Sequence, residues 1–562
     1  MKAKSTFLFL LIVLPAILPC SGAVRSGYYP NSIEEVLKLD NDEIDLAQSV
    51  LLVSKRWNNQ LNTNYYINMI DRIAQDVRKK VGPSASNRIT VEAINDVLFK
   101  DLGFKAIDSA DNPDDLFLNT VINNKRGYCL SLSILYLSIG EKLDLPLYGV
   151  VAPGHFFVRC DDKGKLFNIE TTQMGVSPPD SHYIEKFNIP DNGSKGLYMR
   201  NLTKKETIGC LFNNLANVYM NNNQIDYAFY YQRLAATLTP MLAEARTNLG
   251  NIYLKKNMTD LAIEQYETAL QINPTDAKTH HNLGNAYRKK GINDAAIKQY
   301  NIALKYDSNY VEIYKGLAWA YHSQGLDEKA IAALKKAAGI DSHDPDIYIA
   351  MGSIFRDRKQ WNDAISNYRH ALIIKTDSVD AAYGLGYVYF QKDMYYEALE
   401  QFRTAIYHEP LNASAHMGLA LVYNKLGWPE DEIDAYEYAI KADPNLTPAY
   451  HNLANIYMER KDYDLAAQYY LTAVKLNPQD ADLYYNLAVS YSARKLYEEA
   501  RQYYLKTIEL KWNFPAAHNN LAITLFTLEK YQQALNHAKI AKQQGYAVSE
   551  DFLVQLNKIV GQ

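Results

Sequence analysis

A 34-residue period runs through the chain from position 209 to position 548 without an insertion or a deletion. Ten copies of the unit fill this stretch of the 562 residues. The seventh position is Leu in nine copies and Met in one, the eighth is Gly or Ala in all ten, and the twentieth is Ala in all but one. A strict period of this length is typical of a solenoid, in which each unit packs against its neighbours.

Within one unit, the spacing indicates two antiparallel helices. Small residues at the eighth and twentieth positions let the helices approach closely, and large residues three and four positions apart fill the seam. The eleventh position is aromatic in nine copies. A proline closes five of the units, where the second helix has to stop: Pro240, Pro274, Pro410, Pro444 and Pro478. Core packing explains the repeated Leu, Ala and Tyr residues, so none of them is expected to carry chemistry.

The order L-G-N-x-Y, then A-x-x-x-Y-x-x-A, then P resembles the tetratricopeptide repeat over all ten units. The resemblance implies a mainly α fold, an α-α superhelix whose first helices line a concave face that holds a protein or an extended peptide. We predict that the repeat array occupies residues 204–548 and that a capping helix follows at 549–562. Before the array we predict a signal peptide at 1–23 and a first domain at 24–203, for reasons given below. The last segment looks amphipathic from Ser549 to Lys558 and would cover the final apolar face.

The charge pattern excludes one class of partner. The formal net charge is −4, from 59 basic and 63 acidic residues that are mixed along the chain. Because no basic stripe is present, nucleic acid is not an expected partner. We expect no cofactor and no metal ion.

The first 23 residues have the pattern of a secretory signal. Lys2 and Lys4 precede an apolar run from Phe7 to Leu18, and small residues follow at positions 21–23. The run is too short to span a bilayer comfortably, and no later stretch approaches a transmembrane helix. We therefore expect export to the periplasm or cell envelope, or secretion, with no integral membrane segment in the mature chain.

Cysteine usage leaves two questions open. Cys20 allows a rival interpretation, a lipid-anchored cysteine, although Pro19 stands where a bacterial lipobox has Gly, Ala or Ser. Removal of the signal leaves Cys129, Cys160 and Cys210, an odd number for an exported protein. One thiol must stay free or pair outside the chain, and the sequence does not decide whether Cys160 and Cys210 pair.

The segment before the repeats changes character midway. From Ser32 to Lys105 the apolar residues recur at a helical period, and a further helix is predicted from Tyr128 to Leu143. Strand-like runs follow at 148–152, 155–160 and 165–170. Helices first and short antiparallel strands later favour an α+β domain.

Three residues of this segment could form a thiol site. Cys129 opens the predicted helix, where the helix dipole and free N–H groups favour a thiolate. His155 starts a strand, and Glu170 ends the next one and could orient the imidazole. Each also has a plainer interpretation: a structural cysteine, a buried satisfied histidine and an ordinary turn carboxylate.

The strings around these residues resemble the bacterial transglutaminase-like superfamily, and within it the branch of the Sir-type regulator proteins. They include Arg126-Gly127-Tyr128-Cys129, Pro153-Gly154-His155-Phe156 and Asn168-Ile169-Glu170-Thr171. The resemblance covers about residues 32–175 and implies a papain-like fold with a Cys-His-Asp triad that acts on amide or peptide bonds. It implies Cys129 as nucleophile, His155 as general base and Glu170 in the place of the usual Asp.

Asparagines recur at two positions of the first helix in the repeats. They are Asn214, Asn217, Asn248, Asn251, Asn282, Asn285, Asn452, Asn455, Asn486 and Asn520. Asn is a poor helix former, and its amide can both donate to and accept from a peptide backbone. The pattern is similar to the asparagine ladder in the repeat domain of O-linked N-acetylglucosamine transferase, which implies peptide binding. Alternatively, these side chains only bond neighbouring helices.

The asparagine pattern is interrupted in the fourth to seventh copies. Small residues replace the first asparagine there: Gly316, Ala350, Gly384 and Gly418. Larger, mostly apolar residues take other positions of the expected groove: Trp319, Tyr383, Tyr387, Met417 and Leu421. We expect this middle section to accept partner side chains, while the two ends hold the backbone.

Three hypotheses follow for the function. The first is an exported adaptor whose repeats bind a protein partner. The second is a cysteine-dependent amidase, protease or transglutaminase whose repeats recruit the substrate. The third is a pseudoenzyme whose N-terminal domain only binds.

Overall fold

The computed structural model of the chain describes residue 30 and residues 32–82, 85–189 and 196–561. The predicted signal peptide and Cys20 lie outside the described residues. The chain divides into two compact units, one up to Gly291 and one from Ile292 onward. The boundary expected at residue 203 falls inside the first unit and stays a prediction.

The first unit begins with helices and continues with a small antiparallel sheet. Its first helices are α1 (Ile33–Val36), α2 (Leu46–Trp57), α3 (Thr63–Lys80), α4 (Asn87–Asn95), α5 (Leu118–Asn124) and α6 (Cys129–Lys142). A π-helical turn at Asp96–Asp101 extends α4, and two-residue strands β1 (Lys105–Ala106) and β2 (Arg126–Gly127) pair in parallel. The sheet is β3 (Leu147–Ala152), β4 (His155–Asp162) and β5 (Lys165–Ile169), followed by α7 (Asp180–Lys186).

Local capping explains where the first helices begin. Ser32 accepts a hydrogen bond from the backbone N–H of Glu35 at 3.2 Å, and Asp45 accepts one from Gln48 at 2.9 Å. Each bond satisfies an N–H group that has no partner inside the helix.

Helix α6 is the centre of the first domain. Every residue from Cys129 to Gly140 is buried, and the helix packs on β3 and β4 as well as on α2, α3 and α5. Burial on all sides accounts for its sequence, which lacks a polar face. The core therefore holds the start of α6, with Cys129, in a fixed position.

The repeats form helices with the predicted period. Those of the first unit are α8 (Lys204–Asn221), α9 (Ile225–Leu238), α10 (Ala243–Lys255), α11 (Thr259–Ile272) and α12 (Ala277–Lys289). Those of the second unit begin with α13 (Asn293–Tyr306), α14 (Val311–His322), α15 (Asp327–Ile340), α16 (Pro345–Asp357), α17 (Trp361–Ile374), α18 (Val379–Gln391), α19 (Tyr395–His408) and α20 (Ala413–Leu426). They continue with α21 (Pro429–Ala442), α22 (Thr447–Glu459), α23 (Tyr463–Leu476), α24 (Ala481–Ala493), α25 (Tyr497–Leu510), α26 (Pro515–Thr527), α27 (Tyr531–Gln543) and α28 (Glu550–Val560). Helix pairs after an α+β domain confirm the expected fold class.

A buried ring at the twenty-fourth position of most units fills the seam between helices. These rings are Tyr266, Tyr300, Tyr368, Phe402, Tyr436, Tyr470 and Tyr504. The ring of Tyr368 lies against Gly352 in its own unit and Gly384 in the next, where an added Cβ would approach it to 2.9 Å and 2.5 Å. The small residues of the pattern thus make room for this ring.

Polar pairs repeat along the edge of the stack. The fourteenth residue of a unit pairs with the eighteenth residue of the unit before it. The ion pairs of this kind include Lys256 with Asp226 at 2.7 Å, Arg358 with Glu328 at 2.9 Å, Arg460 with Glu430 at 2.9 Å and Arg494 with Asp464 at 2.6 Å. Such exposed pairs contribute roughly 0–1 kcal/mol each, so the buried rings supply more of the stability.

Helix α28 occupies the segment where a cap is expected. Ser549 accepts a hydrogen bond from the N–H of Phe552 at 3.4 Å, and Leu553 and Leu556 are buried in the same cluster as residues of α27. Within the described ranges, no helix is both long enough and apolar enough to cross a membrane.

Candidate active site

Cys129 is the first residue of α6. Its neighbour Tyr128 precedes the helix, and the Tyr128 N–H donates to Ser131 Oγ at 3.0 Å. Ser131 in turn donates to the backbone oxygen of Asp115 at 2.9 Å, which ties the helix start to a 3₁₀ turn. Only 5% of Cys129 is exposed. The thiol therefore lies at a helix N-terminus, where the dipole favours a negative charge.

The β4–β5 hairpin brings His155 and Glu170 together. Val158 pairs with Ile169, and the antiparallel register continued by one residue places Glu170 opposite Phe157. His155 points to the same face as Phe157, because side chains alternate along a strand. His155 Nε2 and Glu170 Oε2 are 2.7 Å apart.

The Glu170 carboxylate is fixed through both of its oxygens. Oε1 accepts from the N–H of Thr172 at 3.1 Å and from its hydroxyl at 2.5 Å. Oε2 accepts from the Tyr183 hydroxyl at 3.0 Å in addition to His155. Burial alone would raise the pKa of Glu170, but the hydrogen bond and charge of His155, with the Thr172 donors, hold the pKa below its ordinary value.

His155 interacts with Cys129 as well as with Glu170. Burial disfavours the charged imidazolium, but the interactions with Cys129 and Glu170 outweigh it and raise the pKa of His155 to about 9. Since Nε2 faces Glu170, we assign Nδ1 to the cysteine. The structure thus brings the three predicted residues into one cluster, in the order thiol, imidazole, carboxylate, which is the order of a nucleophile, a base and an orienting acid.

Two partners of Glu170 are not indicated by the sequence motifs. Thr172 lies two residues beyond Glu170, and its side-chain and backbone contacts form a local turn that the spacing could have suggested. Tyr183 comes from α7 and reaches the site only through tertiary packing, so no local pattern reveals it.

The three cysteines of the described residues are free thiols. Cys160 and Cys210 are both buried, and they do not form the disulfide that the sequence leaves open. Burial raises the pKa of Cys160 to about 11, and burial raises the pKa of Cys210 further still.

The repeat asparagines make hydrogen bonds within the helix stack. Five of them donate to an adjacent helix: Asn248 to Asn213 at 3.1 Å, Asn282 to Asn251 at 2.9 Å, Asn452 to Tyr436 at 3.1 Å, Asn486 to His451 at 3.2 Å and Asn520 to Tyr485 at 3.0 Å. Three bond inside their own helix: Asn214 to the Cys210 carbonyl, Asn285 to His281 and Asn455 to His451. Asn217 is exposed and the other nine are partly buried.

The interrupted section of the pattern exposes apolar side chains. Trp319 is 41% exposed, Tyr387 37% and Leu421 38%, while Tyr383 and Met417 are partly buried. The Arg356 guanidinium lies 5.7 Å from the centre of the Tyr387 ring. The glycines of this section make room for buried rings: Gly316 faces Tyr300, and Gly418 faces Phe402.

Comparison with protein families finds two kinds of domain in the chain. The family model described as Transglutaminase-like superfamily matches residues 64–188. Tetratricopeptide repeat models match residues 250–291, 284–325, 311–344, 352–393, 393–446 and 451–515.

Relatives of known sequence match part of the chain. A UPF0162 protein of Xylella fastidiosa is 25% identical over 216 residues, which are 37% of this chain and 76% of that protein. A UPF0162 protein of Buchnera aphidicola is 23% identical over 212 residues, or 36% and 77%. Among solved structures, YrrB, described as a TPR protein with an unusual peptide-binding site, is 25% identical. It covers 33% of this chain and 96% of its own, with a TM-score of 0.30.

The narrower assignment to the Sir-type regulator branch stays a prediction. At the level of the domain families, the chain has a transglutaminase-like domain at its N-terminal end, followed by tetratricopeptide repeats.

Proposed function

We propose that the N-terminal domain is a cysteine-dependent enzyme that cleaves amide bonds or transfers their acyl group, and that the repeats recruit its substrate. The observation that carries the proposal is the position of His155, which is hydrogen-bonded to Glu170 at 2.7 Å and interacts with Cys129 as well. A histidine held between a carboxylate and a thiol is the arrangement that thiol acyl transfer requires.

The reaction would proceed in two steps. The Cys129 thiolate attacks the carbonyl carbon, the C–N bond breaks, and the His155 imidazolium gives its proton to the departing amine. This leaves a thioester on Cys129 and a neutral imidazole. Water or a second amine then attacks the thioester, and His155 takes its proton as the thiolate leaves. Glu170 holds the imidazole in one orientation and stabilises its charged form.

Acylation by p-nitrophenyl acetate tests the first step without knowledge of the natural substrate. We expect a burst of p-nitrophenolate equal to the enzyme concentration and one acetyl group on the peptide that contains Cys129. The matched control is the Cys160→Ala variant, which should react like the wild type. If Cys129→Ala gives the same burst and is acetylated to the same extent, the proposed enzyme is wrong.

A binding-only N-terminal domain is the second candidate, and the small exposure of Cys129, 5%, is the observation that favours it. It predicts that the wild type gives no burst. Both candidates keep a role for the repeats in binding a protein, so partner capture should survive Cys129→Ala in either case. Cleavage or acyl transfer on a captured partner separates the two candidates, because only the enzyme modifies the partner.

We propose that the partner of the repeats is an extended peptide segment held by the asparagines and by the apolar middle section. An amide nitrogen has two hydrogens, so an asparagine that bonds an adjacent helix can still donate to a ligand. Asn217 is exposed, as are Trp319 and Tyr387. Pull-down with the wild type and with Asn217→Ala or Trp319→Ala should show weaker capture by the variants, with Thr237→Ala, on the exposed surface of α9, as control. Equal capture by all would contradict the assignment.

We further propose that the chain is exported, on the basis of the signal pattern in residues 1–23. Determination of the N-terminus of the mature protein tests this and also decides the fate of Cys20. A start just after position 23 supports cleavage by signal peptidase, whereas a lipid-modified start at Cys20 supports an anchor. A mature chain that still begins at Met1 would contradict export.

A further inference from the structure

We infer that Tyr183 is a positioning residue of the site: its hydroxyl holds the Glu170 carboxylate so that His155 stays oriented toward Cys129. The inference rests on the proposed thiol chemistry and adds a fourth side chain to it. Tyr183 is 1% exposed and lies in α7, outside the segments that carry the other three residues.

The first observation is that Tyr183 and His155 meet the same carboxylate oxygen. The Tyr183 hydroxyl donates to Glu170 Oε2 at 3.0 Å, and His155 Nε2 lies 2.7 Å from that oxygen. Thr172 occupies the other oxygen with its N–H and its hydroxyl. With donors on both oxygens, the carboxylate cannot turn about its last bond without losing hydrogen bonds.

Glutamate needs such a restraint more than aspartate does. Its side chain has one additional rotatable bond, and the torsion next to its carboxylate is broad and only weakly restricted. An orienting Glu170 that lacked outside contacts would lose side-chain entropy each time it aligned His155. The contacts of Tyr183 and Thr172 remove this freedom in advance.

Helix α7 is itself tied to the strands that carry the site. The Asp180 side chain, at the start of α7, accepts from Arg159 of β4 at 2.5 Å and from Asn168 of β5 at 2.7 Å. Arg159 is 2% exposed, and a second nitrogen of its guanidinium donates to the Met199 carbonyl at 2.8 Å. A movement of α7 away from the sheet would therefore leave the buried Arg159 cation without its carboxylate partner Asp180, which is costly.

Aromatic rings from α7 and its C-terminal end also fix the plane of the imidazole. Tyr183 stacks on Phe157 with centroids 3.9 Å apart and an angle of 7° between the rings. Phe187 stacks on His155 at 5.5 Å and 20°. Burial, together with the charge of Glu170, raises the pKa of Tyr183, so its hydroxyl stays protonated and remains a donor.

The Tyr183→Phe variant tests the inference, because it keeps the ring and removes only the hydroxyl. We expect the rate of Cys129 acetylation by p-nitrophenyl acetate to fall about ten-fold, which corresponds to about 1.4 kcal/mol, with KM unchanged. Thr172→Val removes a donor from the other oxygen and should act in the same direction. Tyr136→Phe is the matched control: its buried hydroxyl donates to the Asn95 side chain at 2.9 Å and not to the Glu170 carboxylate, so the rate should not change.

A double-mutant cycle separates positioning from a general effect on folding. If Tyr183 acts through Glu170, then Tyr183→Phe should have no further effect on the acetylation rate in the Glu170→Ala background. An equal loss in both backgrounds, or a Tyr183→Phe rate equal to the wild type while Glu170→Ala is slow, overturns the inference. Wild-type protein that is not acetylated at Cys129 overturns the proposed enzyme, and this inference with it.

Discussion

His155 and Glu170 are joined by a hydrogen bond of 2.7 Å between Nε2 and Oε2, and this bond decides which nitrogen of the imidazole is left for Cys129. His155 begins β4 and Glu170 directly follows β5 of the same hairpin, so backbone pairing fixes their separation. Because the carboxylate accepts, Nε2 carries a hydrogen, and Nδ1 is the nitrogen that we assign to the thiol. The orientation of the imidazole therefore depends on an ionised carboxylate at position 170.

The Glu170→Gln variant should lose most of the acyl-transfer rate. A glutamine can donate as well as accept, so it no longer selects the productive state of His155, and it cannot stabilise the imidazolium. We expect a loss on the order of a hundred-fold or more, by analogy with an orienting carboxylate in other triads. The measurement is the burst with p-nitrophenyl acetate, with Glu185→Gln, an exposed position on α7, as control. A Glu170→Gln rate within about two-fold of the wild type would show that the bond has no catalytic role.

The stability that His155 contributes should disappear at high pH. The pKa of this group is raised from its ordinary 6.5 to about 9, so the folded state keeps the proton longer than the unfolded state does. The contribution is thus fully present below about pH 6.5 and is lost as the pH rises through about 9. Urea unfolding of the wild type and of His155→Gln should give curves that differ below this range and converge above it. A difference that grows with pH would have the wrong sign.

Only Cys129 should react quickly with a thiol reagent in the folded protein. Cys160 and Cys210 are buried and their pKa values are raised, to about 11 for Cys160, so both remain protonated at neutral pH. Labelling of the mature chain with iodoacetamide, followed by peptide mass spectrometry, should find one modified site in the native protein and three after denaturation. Rapid native labelling of Cys160 would mean that its surroundings are more open than the structure indicates.

The sequence predicts the repeats well because each unit repeats one packing problem. Small residues at fixed positions and aromatic residues at others are set by the seam between two helices, so the period alone places the helices. The hairpin before the repeats is similarly local, since the short turn at 161–164 fixes its register. Both kinds of information lie within a few tens of residues of chain.

The sequence does not show which side chains make contact when the two residues lie far apart along the chain. The recurring asparagine predicts a groove, yet Asn282 bonds Asn251 and Asn452 bonds Tyr436, so inter-helix bonding also accounts for the pattern. Gly384 takes the place of the asparagine beside the Tyr368 ring, whereas Asn452 keeps it beside the equivalent Tyr436 ring, so the ring does not decide which residue stands there. Tyr183 depends on the docking of α7, which no local spacing encodes.

Two glycine substitutions in the second unit should shift stability in opposite directions. Gly384 faces the buried ring of Tyr368, and an added Cβ would lie 2.5 Å from it, so Gly384→Ala should destabilise by about 1–3 kcal/mol. Gly339 in α15 has no heavy atom within 4 Å of an added Cβ, and Gly339→Ala should stabilise by about 0.5–1 kcal/mol. Urea unfolding measures both. If both substitutions change the free energy of unfolding equally, then helix propensity, and not contact with the Tyr368 ring, determines the effect of alanine at position 384.

A pair of histidines near the C-terminal end should make the second unit sensitive to acid. His518 Nε2 lies 3.1 Å from the Trp512 carbonyl, which can only accept, so His518 Nε2 carries the hydrogen. In the neutral ring Nδ1 is then an acceptor, and it meets His537 Nδ1 at 2.9 Å. Burial first, and then the charge of His518, lower the pKa of His537 to about 4, and burial also lowers the pKa of His518.

Because these pKa values are depressed in the folded state, the unfolded chain takes up protons first as the pH falls. The contribution of the two histidines to the free energy of unfolding is therefore complete above about pH 6.5 and decreases toward pH 4. The slope is at most about 1.4 kcal/mol per pH unit for each histidine. His537→Gln should flatten this part of the stability curve, measured by urea unfolding, because the group that resists protonation is gone. His408→Gln, at an exposed position of α19, is the matched control and should keep the wild-type slope. If both variants follow the wild type, the carboxylates alone account for acid sensitivity and the histidine pair does not contribute.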